Sequence, residues 1–324
     1  MSSLSSNGKE FGLFLNKRGS AKLEKLNALL HIRNVDHKNM KYEFCLIRSN
    51  KDEIREDDFI QFLCDNILDY ALSYAELHPK RLTKKELEQF FIENSARLTS
   101  KALSTFIKKS KNTGELGELF LFIALESRGF IRLLNKMALK TSSEMPFHGW
   151  DAVHIGVGSN DSILFCYGSS KMCRKFSTAL NETIEEIENF TNDSSKEEHE
   201  LNLVSSYIDC DRLGKYSKEI TEVLSPYYRD KAKLGKAHSM FLGYEWQALE
   251  NSKPDDSSTL DDHLCKMYNE TRNEIIVKVE NKISSLSDAS GRDFLIWVMP
   301  FANLNGTRSK FRKKLGVPIK KVGI

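Results

Sequence analysis

The clearest hydrophobic pattern in the chain begins after Gly114 and predicts a helix. Glu115 and Glu118 lie near the start of this helix. Two carboxylates are therefore expected close to a helix end whose other face is buried. The apolar residues that recur at three- and four-residue spacing, as in an amphipathic helix, are Leu116, Leu119, Phe120, Ile123 and Ala124.

Two short apolar segments further along the chain predict a β-hairpin. Residues 150–157 and 162–168 are rich in Val, Ile, Phe and Tyr. The turn signal Gly158-Ser159-Asn160-Asp161 separates them. An antiparallel return at this turn would bring the two outer ends of the hairpin close together.

The register of the hairpin decides which side chains share a face. Asp151 opens the first strand, and Lys171 closes the second. Ser169 and Lys171 lie on one face because side chains alternate along a strand. If Val157 pairs with Ser162, Asp151 faces away from Lys171. An odd-length loop or a bulge would shift the register by one residue and bring the two together.

Apolar spacing along the rest of the chain predicts helices around further strands. Residues 1–35 allow few assignments, and the first residues are expected to be loose. Thr83 and Glu86 form a capping box at a helix start. The pattern predicts an α/β fold with a mixed central sheet flanked by helices. Predicted helices cover 57–77, 83–98, 102–109, 176–190, 197–208, 218–228 and 260–286, and predicted strands cover 42–47, 240–244 and 294–299, the last ended by Pro300.

The predicted helix 176–190 has an acidic face opposite its apolar one. Glu185, Glu186 and Glu188 are on that face. Such faces usually point to water, so these three side chains are expected to be solvated.

The overall charge changes this picture little. The 324 residues are 40% hydrophobic and 29% charged, with a formal net charge of +3. This charge neither requires nor excludes nucleic acid, so a DNA-binding surface would depend on local clusters. The tail 307–321 is rich in Lys and Arg and has no acid. It could contact phosphates, but a solvated helix end is the preferred interpretation.

Several functional classes are not expected from the sequence. The six cysteines form no CxxC pair and no short Cys/His cluster, which favours a reducing compartment and argues against a zinc site. No signal peptide and no apolar stretch of membrane-spanning length occur, so a cytoplasmic protein without a membrane partner is predicted. No phosphate-binding GxxxxGK[ST] motif is present, so ATPase activity is not expected.

A carboxylate and a lysine on one sheet face, with a helix acid nearby, form the layout of a metal-dependent phosphodiesterase site. Mg²⁺ is typically held by one or two carboxylates and keeps several waters. It polarises a phosphoryl oxygen, while a lysine stabilises the developing charge. No Ser/His/Asp arrangement is recognisable around Ser169 and Ser170, and His148 and His154 are interpreted as structural.

These residues resemble the PD-(D/E)xK nuclease superfamily, with Asp151 as the strand aspartate and Lys171 as the terminal lysine. More narrowly, four segments resemble the HamA family, the nuclease subunits of the Hachiman antiphage-defence system. They are LGE (116–118), KMALKT (136–141), HGWDAVHI (148–155) and the strand that ends in Lys171. The resemblance covers mainly residues 114–190.

The resemblance implies a restriction-endonuclease-like core that degrades DNA with Mg²⁺ or Mn²⁺. It also implies a helicase partner, HamB, that restrains the nuclease. Asp151, Lys171 and Glu118 would be catalytic, and the metal would bind Asp151, Glu118 and the carbonyl of Ser170. Lys136 and Lys140 would contact the DNA backbone, with ordinary surface charge as an equal alternative.

The chain departs from the family pattern at one position. The second acid of the family would lie two residues before Lys171, where this chain has Ser169. A hydroxyl is a poor substitute for a carboxylate on Mg²⁺. Three explanations stay open: an engineered inactive variant, a natural loss of activity, or an acid supplied from elsewhere. Glu118 and Glu182 are the candidates for the last, and a contribution from Glu115 also stays open.

Two regions and one function are predicted from these observations. Residues 1–110 would form a mostly helical N-terminal region, and 111–324 a nuclease-like domain with a basic tail. The predicted function is that of a DNA nuclease effector subunit, whose activity depends on how the site tolerates Ser169. The alternative is a catalytically silent scaffold that binds DNA or the helicase.

Overall fold

Strands and helices are mixed along the chain, as an α/β fold requires. The computed structural model describes residues 3–51, 53–80, 82–106, 114–134, 150–158, 163–225, 235–251, 258–287 and 289–316. The strands are β1 (Leu30–His37), β2 (Met40–Ile47), β3 (Ser49–Asn50), β4 (Glu53–Ile54), β5 (Ile131–Arg132), β6 (Ala152–Val157), β7 (Ile163–Cys173), β8 (Gly235–Glu245) and β9 (Asp293–Phe301). The helices are α1 (Ser3–Leu29), α2 (Glu56–Asp65), α3 (Ile67–Ala71), α4 (Tyr74–Leu77), α5 (Lys84–Leu103), α6 (Glu115–Ser127), α7 (Phe176–Thr191), α8 (Ser194–Tyr207), α9 (Cys210–Leu213), α10 (Ser217–Leu224), α11 (Ala248–Asn251), α12 (Leu260–Ile283) and α13 (Leu304–Lys314).

Seven of these strands form one mixed sheet in the order β1-β2-β9-β8-β7-β6-β5. β7, β8 and β9 are parallel to one another, and β2 is parallel to β9. The hairpins β1–β2 and β6–β7 are antiparallel, as is the pair β5–β6. The predicted fold class, a mixed sheet with flanking helices, is confirmed.

The β6–β7 hairpin adopts the register that brings the predicted site together. Ala152 pairs with Gly168, and Val157 pairs with Ile163 rather than with Ser162. Asp151 precedes β6 and is therefore next to Ser169 across the hairpin. The one-residue offset, which the sequence left open, is the one observed.

The two faces of the sheet carry different helices. On one face α6 packs over β7 and β8, and the ring of Phe120 lies 4.5 Å from that of Phe241. On the other face α7 covers the same strands, and the ring of Phe190 lies 4.8 Å from that of Tyr167. Side chains of β7 alternate between these two helices, so neighbouring residues of this strand meet different surroundings.

The first helix, α1, forms where the sequence suggested a loose segment. Phe11, Leu15 and Leu26 on this helix are buried. A Cβ at Gly19 would lie 2.3 Å from the carbonyl oxygen of Glu126 at the end of α6. Only glycine permits this close helix contact, so Gly19 is a packing residue.

Other predicted elements are present with shifted bounds, except the predicted helix 102–109: α5 ends at Leu103, residues 104–106 are turn and bend, and 107–109 lie outside the described residues. The capping box of Thr83 and Glu86 is present at the start of α5. The predicted helix 57–77 is three short helices, α2 to α4. Pro300 does not end the last strand, since β9 continues to Phe301. The proline is tolerated because β2 pairs with β9 only as far as Val298, so its missing N–H falls beyond that ladder.

Candidate functional site

Asp151 lies between the two helical layers at the start of β6. Its carboxylate oxygen Oδ2 accepts a hydrogen bond of 2.8 Å from the backbone N–H of Ser170 on β7. Burial raises the pKa of Asp151 well above its usual range, and the negative charges of Glu118 and Glu186 act in the same direction. Lys171 opposes this effect but does not cancel it. The carboxylate thus lies in a locally negative environment that a further cation would relieve.

Lys171 faces the same cleft from β7. Its ammonium lies 2.6 Å from Oε2 of Glu186. Burial works against the charged form, but Glu186 and Asp151 raise the pKa of Lys171 above its ordinary value. The lysine is therefore a fixed positive charge between carboxylates.

Ser169 and Ser170 face opposite sides of the sheet. Ser169 is fully buried, and its hydroxyl donates a hydrogen bond of 2.8 Å to Oε2 of Glu186 on α7. Ser170 points towards α6, where a Cβ at Gly117 would lie 2.3 Å from its Oγ. Its backbone is part of the ladder with Phe241 on β8. The carbonyl of Ser170 as a metal ligand stays a prediction.

Glu118 and Glu115 have different surroundings although both begin α6. Oε2 of Glu118 accepts a hydrogen bond of 2.9 Å from the hydroxyl of Tyr70, and its charge acts on Asp151. Glu115 is buried and lies 3.8 Å from Arg312 on α13. Of the two acids, Glu118 is the one whose charge raises the pKa of Asp151.

Glu186 is the residue that sequence reasoning missed. It was expected to be solvated together with Glu185 and Glu188, which are indeed exposed. That expectation is wrong for Glu186, which is half-buried and contacts both Ser169 and Lys171. The position of Glu186 relative to the apolar residues of the helix could have identified it. Glu186 is three residues after the buried Thr183 and four before the buried Phe190, at the border of the apolar face.

Glu182, the other candidate acid, takes a more peripheral position. It is exposed, and Oε2 accepts a contact of 3.6 Å from the thiol of Cys173. It lines the same cleft as Asp151 and Lys171 and helps to raise the pKa of that lysine. Among the described residues, no contact joins it to Asp151.

A cleft of about 1070 Å³ opens in front of these residues, between the strand ends and helices α7 and α8. Its charged lining is mainly acidic. Within the described ranges, no group of three or more His, Cys, Asp or Glu side chains is arranged to hold a metal ion. The lining residues are Trp150, Asp151, Lys171, Glu182, Glu185, Glu186, Asn189, Phe190, Asp193, Ser195, Lys196, His199 and Glu200.

Other candidate residues lie elsewhere. Lys136, Lys140 and His148 are outside the described residues. His154 is buried, and burial together with Arg132 holds its pKa well below its ordinary value. That His154 has no catalytic role stays a prediction. In the described ranges, no helix is both long and apolar enough to cross a lipid bilayer.

The seven-stranded mixed sheet with helices on both faces is that of an α/β protein and is consistent with a nuclease-like fold. The sequence model of one family, HamA, matches residues 22–315. The chain therefore belongs to the HamA family, which makes it a subunit of a Hachiman antiphage-defence system. No curated protein matches the chain.

Proposed function

We propose that this chain is the DNA-cleaving subunit of its defence complex and that it hydrolyses phosphodiester bonds at Asp151 and Lys171. One observation carries the proposal. The hairpin register places the half-buried Asp151 opposite Ser169, so that its carboxylate lines the same cleft as Lys171 beside further acids. Family membership agrees with this function, since the HamA resemblance implies a nuclease.

The donor set fits a Mg²⁺ or Mn²⁺ ion. Asp151, Glu118 and Glu186 are close enough for their charges to interact, and Lys171 is the cation that the structure provides among them. Three carboxylates against one ammonium leave an excess of negative charge that a divalent cation would neutralise. A preformed group of three ligands is not required, because Mg²⁺ commonly binds through one or two carboxylates, substrate phosphate and water.

The residues of the chain have separable roles in this proposal. The Ser170 N–H orients the carboxylate of Asp151, and the Tyr70 hydroxyl orients that of Glu118. Lys171 stabilises the negative charge that develops on the phosphoryl oxygens in the transition state. A bound divalent ion would polarise the phosphate and lower the pKa of a water nucleophile.

DNA and a helicase subunit, HamB, are the proposed partners. Lys136 and Lys140 remain candidate backbone contacts. The acidic lining of the cleft supports a requirement for the metal, since without it the carboxylates would repel the phosphates of DNA.

The first prediction tests this function with the full chain, alone and bound to the helicase. We expect Mg²⁺-dependent nicking of plasmid DNA that EDTA abolishes. Asp151→Asn and Lys171→Met should each lower the cleavage rate by about 10²-fold or more, because each removes a charge that acts on the reacting phosphate. Glu188→Gln, an exposed substitution on α7, is the matched control and should leave the rate unchanged.

The scaffold alternative is favoured by one observation, the serine at position 169. A scaffold subunit would bind DNA or the helicase but would not cleave DNA in Mg²⁺ or Mn²⁺. Cleavage that persists in Asp151→Asn would instead show that the catalytic site lies elsewhere.

A further inference from the structure

The side chain of Glu186 reaches the position where a carboxylate at residue 169 would act. Ser169 and Lys171 both face α7, and both contact the same oxygen of Glu186, at 2.8 Å and 2.6 Å. The two strand side chains therefore converge on one carboxylate from the helix. Glu185 and Glu188, its neighbours on α7, are exposed, so this contact is specific to Glu186.

The serine makes this arrangement sterically possible. Ser169 is fully buried between β7 and α7. A glutamate there would extend from the strand into the volume that the Glu186 carboxylate fills. It would also bring a second negative charge to the same ammonium. A carboxylate from the strand and one from the helix are therefore alternatives at this position.

The other carboxylate oxygen of Glu186 could coordinate a metal ion. Oε2 accepts from Ser169 and Lys171, whereas Oε1 has no hydrogen-bond partner within the part of the chain that is described. Glu186 lines the cleft together with Asp151 and Lys171. A carboxylate fixed through one oxygen, with the other oxygen without a partner, suits a metal ligand.

We propose that Glu186 supplies, beside Asp151 and Glu118, the carboxylate that the family pattern places at position 169, and that Ser169 is the hydrogen-bond donor that orients it. This inference rests on the proposed nuclease function. Under this proposal Ser169 orients the carboxylate of Glu186 and does not mark the loss of a catalytic acid. The acid comes from α7, the helix that follows the strand containing Lys171. The unaltered chain then has all the charged groups that the proposed metal site needs.

The test moves the carboxylate from position 186 to position 169 in the full chain. Glu186→Gln, Ser169→Glu and the double variant Ser169→Glu with Glu186→Ser are compared, with Glu188→Gln as the control. Isothermal titration with Mn²⁺ reports metal affinity without catalysis, and plasmid nicking in Mg²⁺ reports activity. Circular dichroism checks that each variant is folded.

We expect Glu186→Gln to weaken Mn²⁺ binding at least tenfold and to slow cleavage by about 10²-fold. Ser169→Glu alone should improve neither, because two carboxylates compete for one position. The double variant should recover at least tenfold in both measurements relative to Glu186→Gln, because it moves the charge back to the strand.

Two results with the variants would overturn the inference. One is a Glu186→Gln variant that behaves like the control while Asp151→Asn abolishes Mn²⁺ binding. The other is a Ser169→Glu variant that binds Mn²⁺ more tightly and cleaves faster than the unaltered chain. If instead Asp151→Asn and Lys171→Met change neither measurement, the proposed function fails as well. A chain that binds no Mn²⁺ at all also contradicts the inference.

Discussion

At the scale of single residues, Glu200 is a buried carboxyl group that lines the candidate site. The backbone N–H of Trp150, the residue before Asp151, donates to it. Glu200 is only 5% exposed, and its Oε2 has no partner among the residues described. Burial raises its pKa to about 7, although the Trp150 hydrogen bond acts in the opposite direction. The carboxyl group thus holds the start of β6 through the Trp150 hydrogen bond. When it is charged, its burial lowers the stability of the folded protein.

Glu200→Gln is therefore predicted to change how stability depends on pH. A glutamate that titrates near 4.3 when unfolded and near 7 when folded binds its proton more tightly in the folded state. Its contribution is fully present below about pH 4 and is lost as the pH rises through 7. The glutamine keeps a hydrogen-bond acceptor for Trp150 but has no charge. We expect it to raise the free energy of unfolding at pH 8 by about 1–3 kcal/mol, with little change at pH 4.5.

Urea denaturation at the two pH values, in the presence of EDTA, measures this difference. The exposed neighbour Glu198 supplies the control, since Glu198→Gln should shift both values equally and little. An equal effect of Glu200→Gln at pH 4.5 and pH 8 would mean that Glu200 is not the titrating group.

Only some residues of the candidate site could be predicted from the sequence. Asp151 and Lys171 were identifiable because both flank a hairpin that the sequence marks clearly. Glu186 was not, since its neighbours Glu185 and Glu188 have the same charge and only one of the three turns inward. The choice depends on how α7 is rotated on the sheet, which is set by packing rather than by residue type.

At the scale of elements, α13 contains the first half of the basic tail, and its charges bind the protein's own groups. Lys310 pairs with Glu56 at 2.7 Å and with Asp57 at 3.2 Å, both in the first turn of α2. Arg308 donates to the carbonyl of Met172, which follows Lys171 on β7. These contacts agree with the preference for a helix end over a DNA-binding tail and extend it, since the helix is docked rather than only solvated.

Two of the basic residues on α13 should differ strongly in their effect on stability. Arg312 pairs with the buried Glu115, and the two side chains are 11% and 3% exposed. Arg312→Ala removes a cation from a buried acid and should cost roughly 3 kcal/mol. Lys310 is half exposed, so Lys310→Ala should cost less than about 1 kcal/mol. Chemical denaturation of both variants checks the order, and a larger loss for Lys310→Ala would contradict it.

The register of the β6–β7 hairpin is another property of elements that the sequence left undecided. The loop length alone allows two pairings. The structure shows what favours one of them: Gly168 lies opposite Ala152, and a Cβ at Gly168 would come within 2.8 Å of the Ala152 side chain and 3.0 Å of Leu121 on α6. The close approach of Ala152 on β6 and Ser239 on β8, with Leu121 of α6 above them, thus favours a glycine at this point, and this is a tertiary constraint that no local pattern contains.

At the scale of the whole molecule, the sheet joins the two predicted regions. β2 pairs with β9 from Met40–Phe294 to Phe44–Val298, so strands from both regions are neighbours. Glu43 on β2 accepts hydrogen bonds of 2.9 Å from Trp297 on β9 and from Arg128 after α6. The division at residue 110 stays a prediction, but the core is shared across it.

The last prediction is that residues 111–324 do not fold alone. Without residues 1–110, β9 would lose β2, one of its two parallel neighbours, and expose an apolar edge, and α6 would lose its contact with α1. We expect the fragment to aggregate or to show no cooperative thermal transition by circular dichroism. Co-expression with residues 1–110 should restore a soluble complex, because the missing strand pairing can form between separate chains. A fragment 111–324 that unfolds cooperatively and binds Mn²⁺ like the full chain would show instead that the N-terminal strands and helices are dispensable for the fold and for metal binding.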